Sequence, residues 1–141
     1  MVSLVTTPEQ LQQAFAIRWR VFVDEQHVPA EEELDDFEPI ARHFLAFEPG
    51  GAPVATARWR STDHGIKLER FAVLGPYRGQ GYGQKVLQAV LADIAADPAT
   101  EGKLRYLHAQ LSAEAFYASA GFRALGPVFA EAGIQHVKMV L

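Results

Sequence analysis

The residues whose types and spacing best suit chemistry are Arg78-Gly79-Gln80-Gly81-Tyr82-Gly83. Three glycines in five positions follow the apolar run Phe71-Ala72-Val73-Leu74 and precede a strongly periodic helical segment. Glycine allows positive φ and lets a ligand approach the backbone without meeting a Cβ. Free N–H groups opening a helix, backed by the positive end of its dipole, make a ready anion site. Arg78 adds a fixed positive charge suited to phosphate. The pattern points to a strand–turn–helix pyrophosphate cradle; the plainer alternative is a tight turn whose glycines only permit close packing. Other phosphate loops fit less well. A P-loop needs Lys-Ser/Thr after its last glycine, whereas Lys85 is followed by Val86, and a dinucleotide fingerprint needs G-x-G-x-x-G early in a parallel βαβ unit.

The elements that must position this loop can be traced along the chain. Ser3 to Val5 suits a short strand. Thr7 has the character of an N-cap, with Pro8 at the first helical position and Gln10 completing a capping box. Leu11, Phe15, Trp19 and Phe22 at helical spacing predict a buried stripe on a helix from Pro8 to about Val23. Residues 24–38 then hold eight of the 17 acids and no Lys or Arg. A run of this kind is ordinarily a solvated loop or short helix; the alternative is an electronegative wall that attracts a cationic acceptor. Val28, Leu34 and Phe37 are the expected apolar anchors of the segment.

Phe44–Phe47, the Pro49-Gly50-Gly51 turn and Val54–Trp59 predict an antiparallel hairpin. Asp63-His64-Gly65 turns into a strand from Ile66 to Leu74 whose parity changes. Ile66 and Leu68 take one face by alternation while Phe71 and Val73 would take the other, so a β-bulge near Glu69-Arg70 is expected to reconcile them. After the loop, Val86, Leu87, Val90, Leu91 and Ile94 form an amphipathic helix stopped by Asp97-Pro98. A strand over Leu104–Ala109 follows. Ser112 is the expected cap of a helix from Ala113 to Ala120 ending at Gly121, and Phe122–Leu125 and Ile134–Val140 are the expected closing strands.

Composition sets outer bounds. The chain has 141 residues, 49% of them hydrophobic, and its mean hydropathy is −0.02, values of a folded globular domain. One domain over 1–141 is expected. A net charge of −4 argues against nucleic acid as a bulk electrostatic partner. With no cysteine, disulfides and thiolate catalysis are excluded. Five scattered histidines without an i,i+4 pair predict no metal site. Met1–Thr7 has no basic, long-apolar signal pattern and no run approaches membrane-spanning length, so a cytoplasmic protein without membrane partners is the default expectation.

Arg78, Gly81 and Gly83 fall on the fixed positions of the Arg/Gln-x-x-Gly-x-Gly/Ala acetyl-CoA loop, and the chain resembles the GNAT superfamily of N-acetyltransferases over nearly its whole length. Phe116-Tyr117-Ala118-Ser119-Ala120-Gly121-Phe122 is similar to the family's F-Y-x-x-x-G-F segment. A closer likeness, to the ElaA/YjcF-like branch, rests on Arg20–Pro29, Leu68–Val73 and Gly133–Met139. The resemblance implies an α+β, α/β/α layered fold: a mixed, mostly antiparallel sheet of six to seven strands flanked by about four helices. It also implies direct acetyl transfer from acetyl-CoA to an amine of a small molecule or protein. The backbone of Phe71, Ala72 and Val73 would hold the pantetheine and that of Arg78, Gly79, Gln80, Gly81, Tyr82, Gly83 and Gln84 the pyrophosphate.

Tyr117 matches the tyrosine that some members use to protonate the leaving thiolate; the alternative is a core aromatic beside Phe116, although neighbours on a short helix are not expected to face the same way. Glu69 is the first candidate for the base that deprotonates the amine, acting through water; the alternative is a strand carboxylate paired with Lys67 or Arg70. His108 and His136 are further candidates, ahead of His27 and His43. A CoA-binding domain without turnover and a nucleotide-phosphate binder are the competing functions. The sheet edge and closing strands leave room for a homodimer.

Overall fold

The computed structural model describes residues 1–141, and its elements follow the expected order with instructive differences. Strand β1 (Val2–Leu4) leads to α1 (Pro8–Arg18), a π-helical segment (Trp19–Glu25) and the short α2 (Ala30–Glu33). Strands β2 (Arg42–Phe47), β3 (Pro53–Thr62) and β4 (Gly65–Val73) form a meander, followed by α3 (Tyr82–Ala96), β5 (Arg105–Gln110) and α4 (Glu114–Ala118). β6 (Arg123–Ala124), β7 (Phe129–Glu131) and β8 (Ile134–Val140) close the chain. The strands form one sheet in the order β1-β2-β3-β4-β5-β8-β6, with β7 also paired to β8. Only β4 and β5 run parallel.

Eight strands stand where six or seven were expected. The extra strand, β7, pairs with β8 across Ala132-Gly133, both at positive φ. Two-residue hairpins prefer Asn-Gly or Gly-Gly, so an alanine at the first turn position hid this one.

The two faces of the sheet carry different helices. Val86, Leu87, Val90 and Ile94 of α3 pack on Phe44, Ala57, Ile66, Leu68, Leu107 and neighbours in the larger core. Ala14, Ile17 and Val21 pack on Leu45 and Ala72 on the opposite face. This corrects the expected stripe of Leu11, Phe15, Trp19 and Phe22: Trp19 is 46% exposed, and Arg18 joins Ala14, Ile17 and Val21 among the buried residues. The reasons are local. The helix widens at Trp19, where Gln26 N–H donates to the carbonyl of Val21 rather than one residue later, which rotates the following side chains. An inward-facing arginine is also invisible to hydrophobic periodicity. Thr7 caps α1 as expected, accepting from Gln10 N–H at 3.2 Å, but Gln10 returns its bond to Thr6 N–H at 2.8 Å, not to Thr7.

Residues 24–38 keep five of their eight acids exposed, as a solvated loop with a short helix would, but Glu33, Asp35 and Glu38 turn inward. Arg18, buried between sheet and loop, binds Glu33 at 2.6 Å and Glu38 at 2.7 Å. Arg58 of β3, also buried, binds Asp35 at 2.8 Å, Glu38 at 2.6 Å and Glu69 at 3.0 Å. Arg70 adds a contact to Asp35 at 3.2 Å. Arginine's planar fork can meet several carboxylates at once, which lets three arginines tie the segment to the sheet. Leu34 and Phe37, the expected anchors, are 46% and 40% exposed; Phe37 instead covers the Arg60 guanidinium, 3.7 Å from its ring centre.

Burial pushes the Asp35 carboxyl up, but Arg58 outweighs it and holds the group at about 2. Glu38 and Glu69 are lowered in the same way, burial being overcome by their arginines. A carboxylate lowered in the folded state stabilises fully above its unfolded value, near 4, and loses that contribution as pH falls through the folded value. Thermal melts followed by circular dichroism should therefore show a loss of stability concentrated between about pH 4 and pH 2; a melting temperature unchanged across that interval would refute the assignment.

The bulge lies where parity required it. Register slips between Thr56↔Ala72 and Arg58↔Glu69, leaving Arg70 and Phe71 together opposite Ala57, with Arg70 at φ 61°. Phe71 and Val73 consequently pack on the same core as Ile66 and Leu68. β4 and β5 pair only from Ile66↔Arg105 to Leu68↔Leu107 and then part.

Candidate active site

Beyond Leu68 the two parallel strands splay into a fork, and a cleft of about 1110 Å³ opens there. One bank carries the bulged half of β4 and the start of α3; the other carries β5, α4 and the β7–β8 hairpin. The β5-facing edge of β4 past the bulge has no strand partner, so its backbone polar groups are open to a ligand.

At one end lies the glycine loop. Gly79 and Gly81 have φ of 76° and 89°, and a Cβ on either would meet nothing within 4 Å. Their glycines thus serve conformation and open space together. The N–H groups of six consecutive residues, Gly79 to Gln84, find no acceptor within the chain; the first to do so is Lys85, bonded to Gly81 at 3.1 Å. Four orphan donors are what any helix start leaves, and the loop adds two more to the row. Gly83 serves packing, since a Cβ there would lie 3.4 Å from Phe116. Tyr82 is mostly core, its ring edge-on to Tyr77, and contributes only its backbone. Gln80 bonds the carbonyl of Pro76 at 3.0 Å.

Arg78 is less free than the sequence suggests. It pairs with Glu25, at the end of the π-helical segment across the cleft, and donates to the Val73 carbonyl at 2.9 Å. One residue on, Gln26 accepts from Gln110 of β5 at 2.8 Å, so the end of the π-helical segment is tied to both banks. Neither tie is legible in sequence, since the Gln pair is 84 residues apart.

Tyr117 lines the middle of the cleft, edge-on to Phe71 at 5.5 Å and to Phe122 at 6.1 Å. Its hydroxyl bonds to no group of the chain. Burial pushes the phenol up, so it keeps its proton at neutral pH. Phe116 lines the same cleft, 5.0 Å from Tyr117 ring to ring, which corrects the expectation that adjacent residues would diverge. A 3₁₀ turn, Leu111–Ala113, feeds the five-residue α4 and allows both to point inward, and Ser112 does not cap it: Ala113 takes the N-cap position without a side-chain bond. Gly121 ends the turn at φ 102° as expected.

The far end holds charged groups. Glu69 is gripped by Arg58, Arg60 and Lys67, so it is paired with Lys67 as one alternative foresaw but not with Arg70. Burial raises its carboxyl, and Arg58 with the other cations more than reverses this, leaving it ionised and a weak base. His108 Nδ1 lies 3.2 Å from Glu131 Oε1. His136 Nδ1 lies 2.7 Å from the Ile134 carbonyl and its Nε2 3.7 Å from Glu131 Oε2. His43 is buried against α1 with Nε2 3.0 Å from the Glu38 carbonyl, and His27 is exposed outside the cleft. Glu131 was missed with β7; a carboxylate beside Ala-Gly and five residues before His136 was its only trace in the sequence.

The comparisons with known proteins agree in kind. A family model described as an acetyltransferase (GNAT) domain matches residues 5–141. The Bacillus subtilis protein named as an uncharacterized N-acetyltransferase, YjcF, is 43% identical over 133 residues, covering 94% of this chain and 92% of its own length. Among solved structures, Escherichia coli ElaA superimposes with a TM-score of 0.86 at 27% identity, covering 99% of this chain and 98% of its own. An acyl-CoA N-acyltransferase from Pseudomonas aeruginosa gives 0.83 at 25% identity, with coverage of 99% and 98%.

Proposed function

The chain belongs to the GNAT acetyltransferase family, and from that premise we propose that it moves an acetyl group from acetyl-CoA directly to a primary amine, both held in the forked cleft. The observation that carries the proposal is the row of unpartnered N–H groups from Gly79 to Gln84, which fits a pyrophosphate and leads onto the open edge of β4. When bound, acetyl-CoA supplies the activated thioester; the chain supplies everything else.

Gly79 to Gln84 bind the pyrophosphate through backbone groups, with Arg78 exchanging Glu25 for phosphate. Phe71, Ala72 and Val73 offer backbone donors and acceptors to the pantetheine. Tyr117 donates its proton to the departing sulfur. Glu32 and Glu131 are the carboxylates without an arginine partner that the cleft presents to a cationic amine. Glu69, placed at the acceptor end, reaches an amine only by giving up part of its cationic cage.

Thermal unfolding with millimolar acetyl-CoA, and with ATP as control, is the first test. A ligand at one hundred times its Kd stabilises by about 2.7 kcal/mol. A rise with acetyl-CoA alone, followed by thiol release with a panel of amines, supports the reading. A rise without transfer to any amine leaves a CoA-binding domain; no rise removes the donor site. Tyr117→Phe should lower transfer roughly 100-fold at unchanged acetyl-CoA affinity; an unchanged turnover would remove the tyrosine from the reaction.

A further inference from the structure

We propose that His108 is the base that takes the proton from the acceptor amine, and that Glu131 positions it by holding the Nδ1–H tautomer. The proposal rests on the acetyl-transfer reading above and deepens it. Three groups at the acceptor end could do the work, and their surroundings separate them. Glu69 is held by three cations, Arg58 and Arg60 on Oε1 and Lys67 on Oε2, and a carboxylate so held gains little by accepting a proton. His136 has Nδ1 on the Ile134 carbonyl, and its Nε2, though unbonded at 3.7 Å from Glu131, belongs to a side chain 8% exposed against 26% for His108, so it is the less accessible of the two. His108 has one nitrogen occupied and one open.

The geometry is that of an oriented base. His108 lines the cleft, its Nδ1 bonded to Glu131 Oε1 at 3.2 Å, and Nε2 bonds to no group of the chain. Glu131, an acceptor only, fixes the proton on Nδ1 and leaves the lone pair on Nε2. Phe129 packs edge-on against the imidazole at 5.0 Å and restricts its rotation. Other charged or titratable groups face this imidazole from the neighbouring strands: Tyr106 on β5 itself, Lys138 and His136 on β8, and Lys67 on β4. The two lysines bring positive charge to this side of the cleft, and Glu131 is the carboxylate in contact with the imidazole. The His108 bond lowers the Glu131 carboxyl, so Glu131 remains an anion throughout.

The step balances. His108 Nε2 takes a proton from the ammonium, and the freed nitrogen pair attacks the thioester carbonyl carbon. The C–N bond forms, the C–S bond breaks, and the sulfur leaves with its electron pair and collects a proton from Tyr117. The amide nitrogen, which still carries one proton too many, gives it up through solvent to restore the Tyr117 phenol, and His108 releases its own proton to solvent, so one proton is liberated per acetyl moved.

The test is the pH dependence of thiol release from acetyl-CoA with ethanolamine, lysine and spermidine as probe amines, for wild type, His108→Gln, His108→Ala and Glu131→Gln. Wild type should show kcat/KM rising with pH as the base is freed of its proton. His108→Gln should fall at least roughly 100-fold at pH 7, approaching wild type at high pH where the amine sheds its own proton. Added imidazole should restore part of the His108→Ala activity. Glu131→Gln should lower kcat/KM and mix the His108 tautomers in ¹⁵N spectra, because the anionic acceptor that holds the Nδ1–H form is gone. Acetyl-CoA affinity, measured by calorimetry, should be unchanged in all three.

A His108→Gln enzyme with the wild-type profile, while wild type turns over, would overturn this proposal and leave acetyl transfer standing. Binding of acetyl-CoA without transfer by wild type to any probe would overturn both. Histidine ¹⁵N shifts provide a readout independent of turnover: the Nε2–H tautomer at His108 would exclude the assigned orientation.

Discussion

Arg58→Ala is expected to destabilise the protein by about 3–5 kcal/mol, the range for removing one partner of a buried ion pair and leaving the other charge uncompensated. Arg58 is fully buried and holds three carboxylates from two segments at once: Asp35 and Glu38 in the acidic segment and Glu69 on β4. Its Nε has no partner of its own, so the side chain already bears one unsatisfied donor, and its retention depends on the two terminal nitrogens. For a chain of this length the loss corresponds to a fall in melting temperature of roughly 10–20 °C. Orphaned acids are relieved by protonation, so the gap between variant and wild type should narrow as pH falls toward 4. Arg58→Lys keeps the charge without the fork and should recover only part of the loss. A cost below about 1 kcal/mol in urea titrations at pH 7 would show that the network is replaceable by water.

The second large effect concerns the loop. Gly81→Val should reduce acetyl-CoA affinity at least 100-fold, about 2.7 kcal/mol, in calorimetric titrations. A valine at φ 89° is strained, so the turn that sets out the N–H groups of Gly79 to Gln84 would shift, and its branches would project into open space beside the loop. The strain itself costs roughly 1–2 kcal/mol of stability, so the variant should still fold and the binding loss can be read separately. Affinity within threefold of wild type would mean that these donors do not meet the phosphates.

Much of this could be read before the structure. The bulge at Glu69-Arg70 followed from the parity of four apolar residues, and the structure bears it out through the shared core of Ile66, Leu68, Phe71 and Val73. The loop and the amphipathic α3 were equally plain, because glycine placement and helical period are local signals. The failures share a physical cause. Arg18 faces inward because Glu33 and Glu38, fifteen and twenty residues away, come to meet it, and no window of sequence contains all three. Glu33, Asp35 and Glu38 have a solvated look until the arginines of β3 and β4 are brought alongside. Glu131 depends on a hairpin whose turn residue is an alanine at positive φ. Tertiary ion pairs and unusual turns carry no period.

The fork between β4 and β5 also acts as a ruler. Its apex is set by the last backbone pair, Leu68↔Leu107, and its mouth by Val73, where the loop departs. Five residues at about 3.3 Å each separate the two, a depth of roughly 16 Å. Backbone register rather than any side chain therefore fixes how far an extended arm can enter before the strands rejoin. Point substitutions along the walls can change what is gripped while the reach stays constant; moving the apex takes an insertion or deletion in β5, which would shift His108 relative to Tyr117 by the same step.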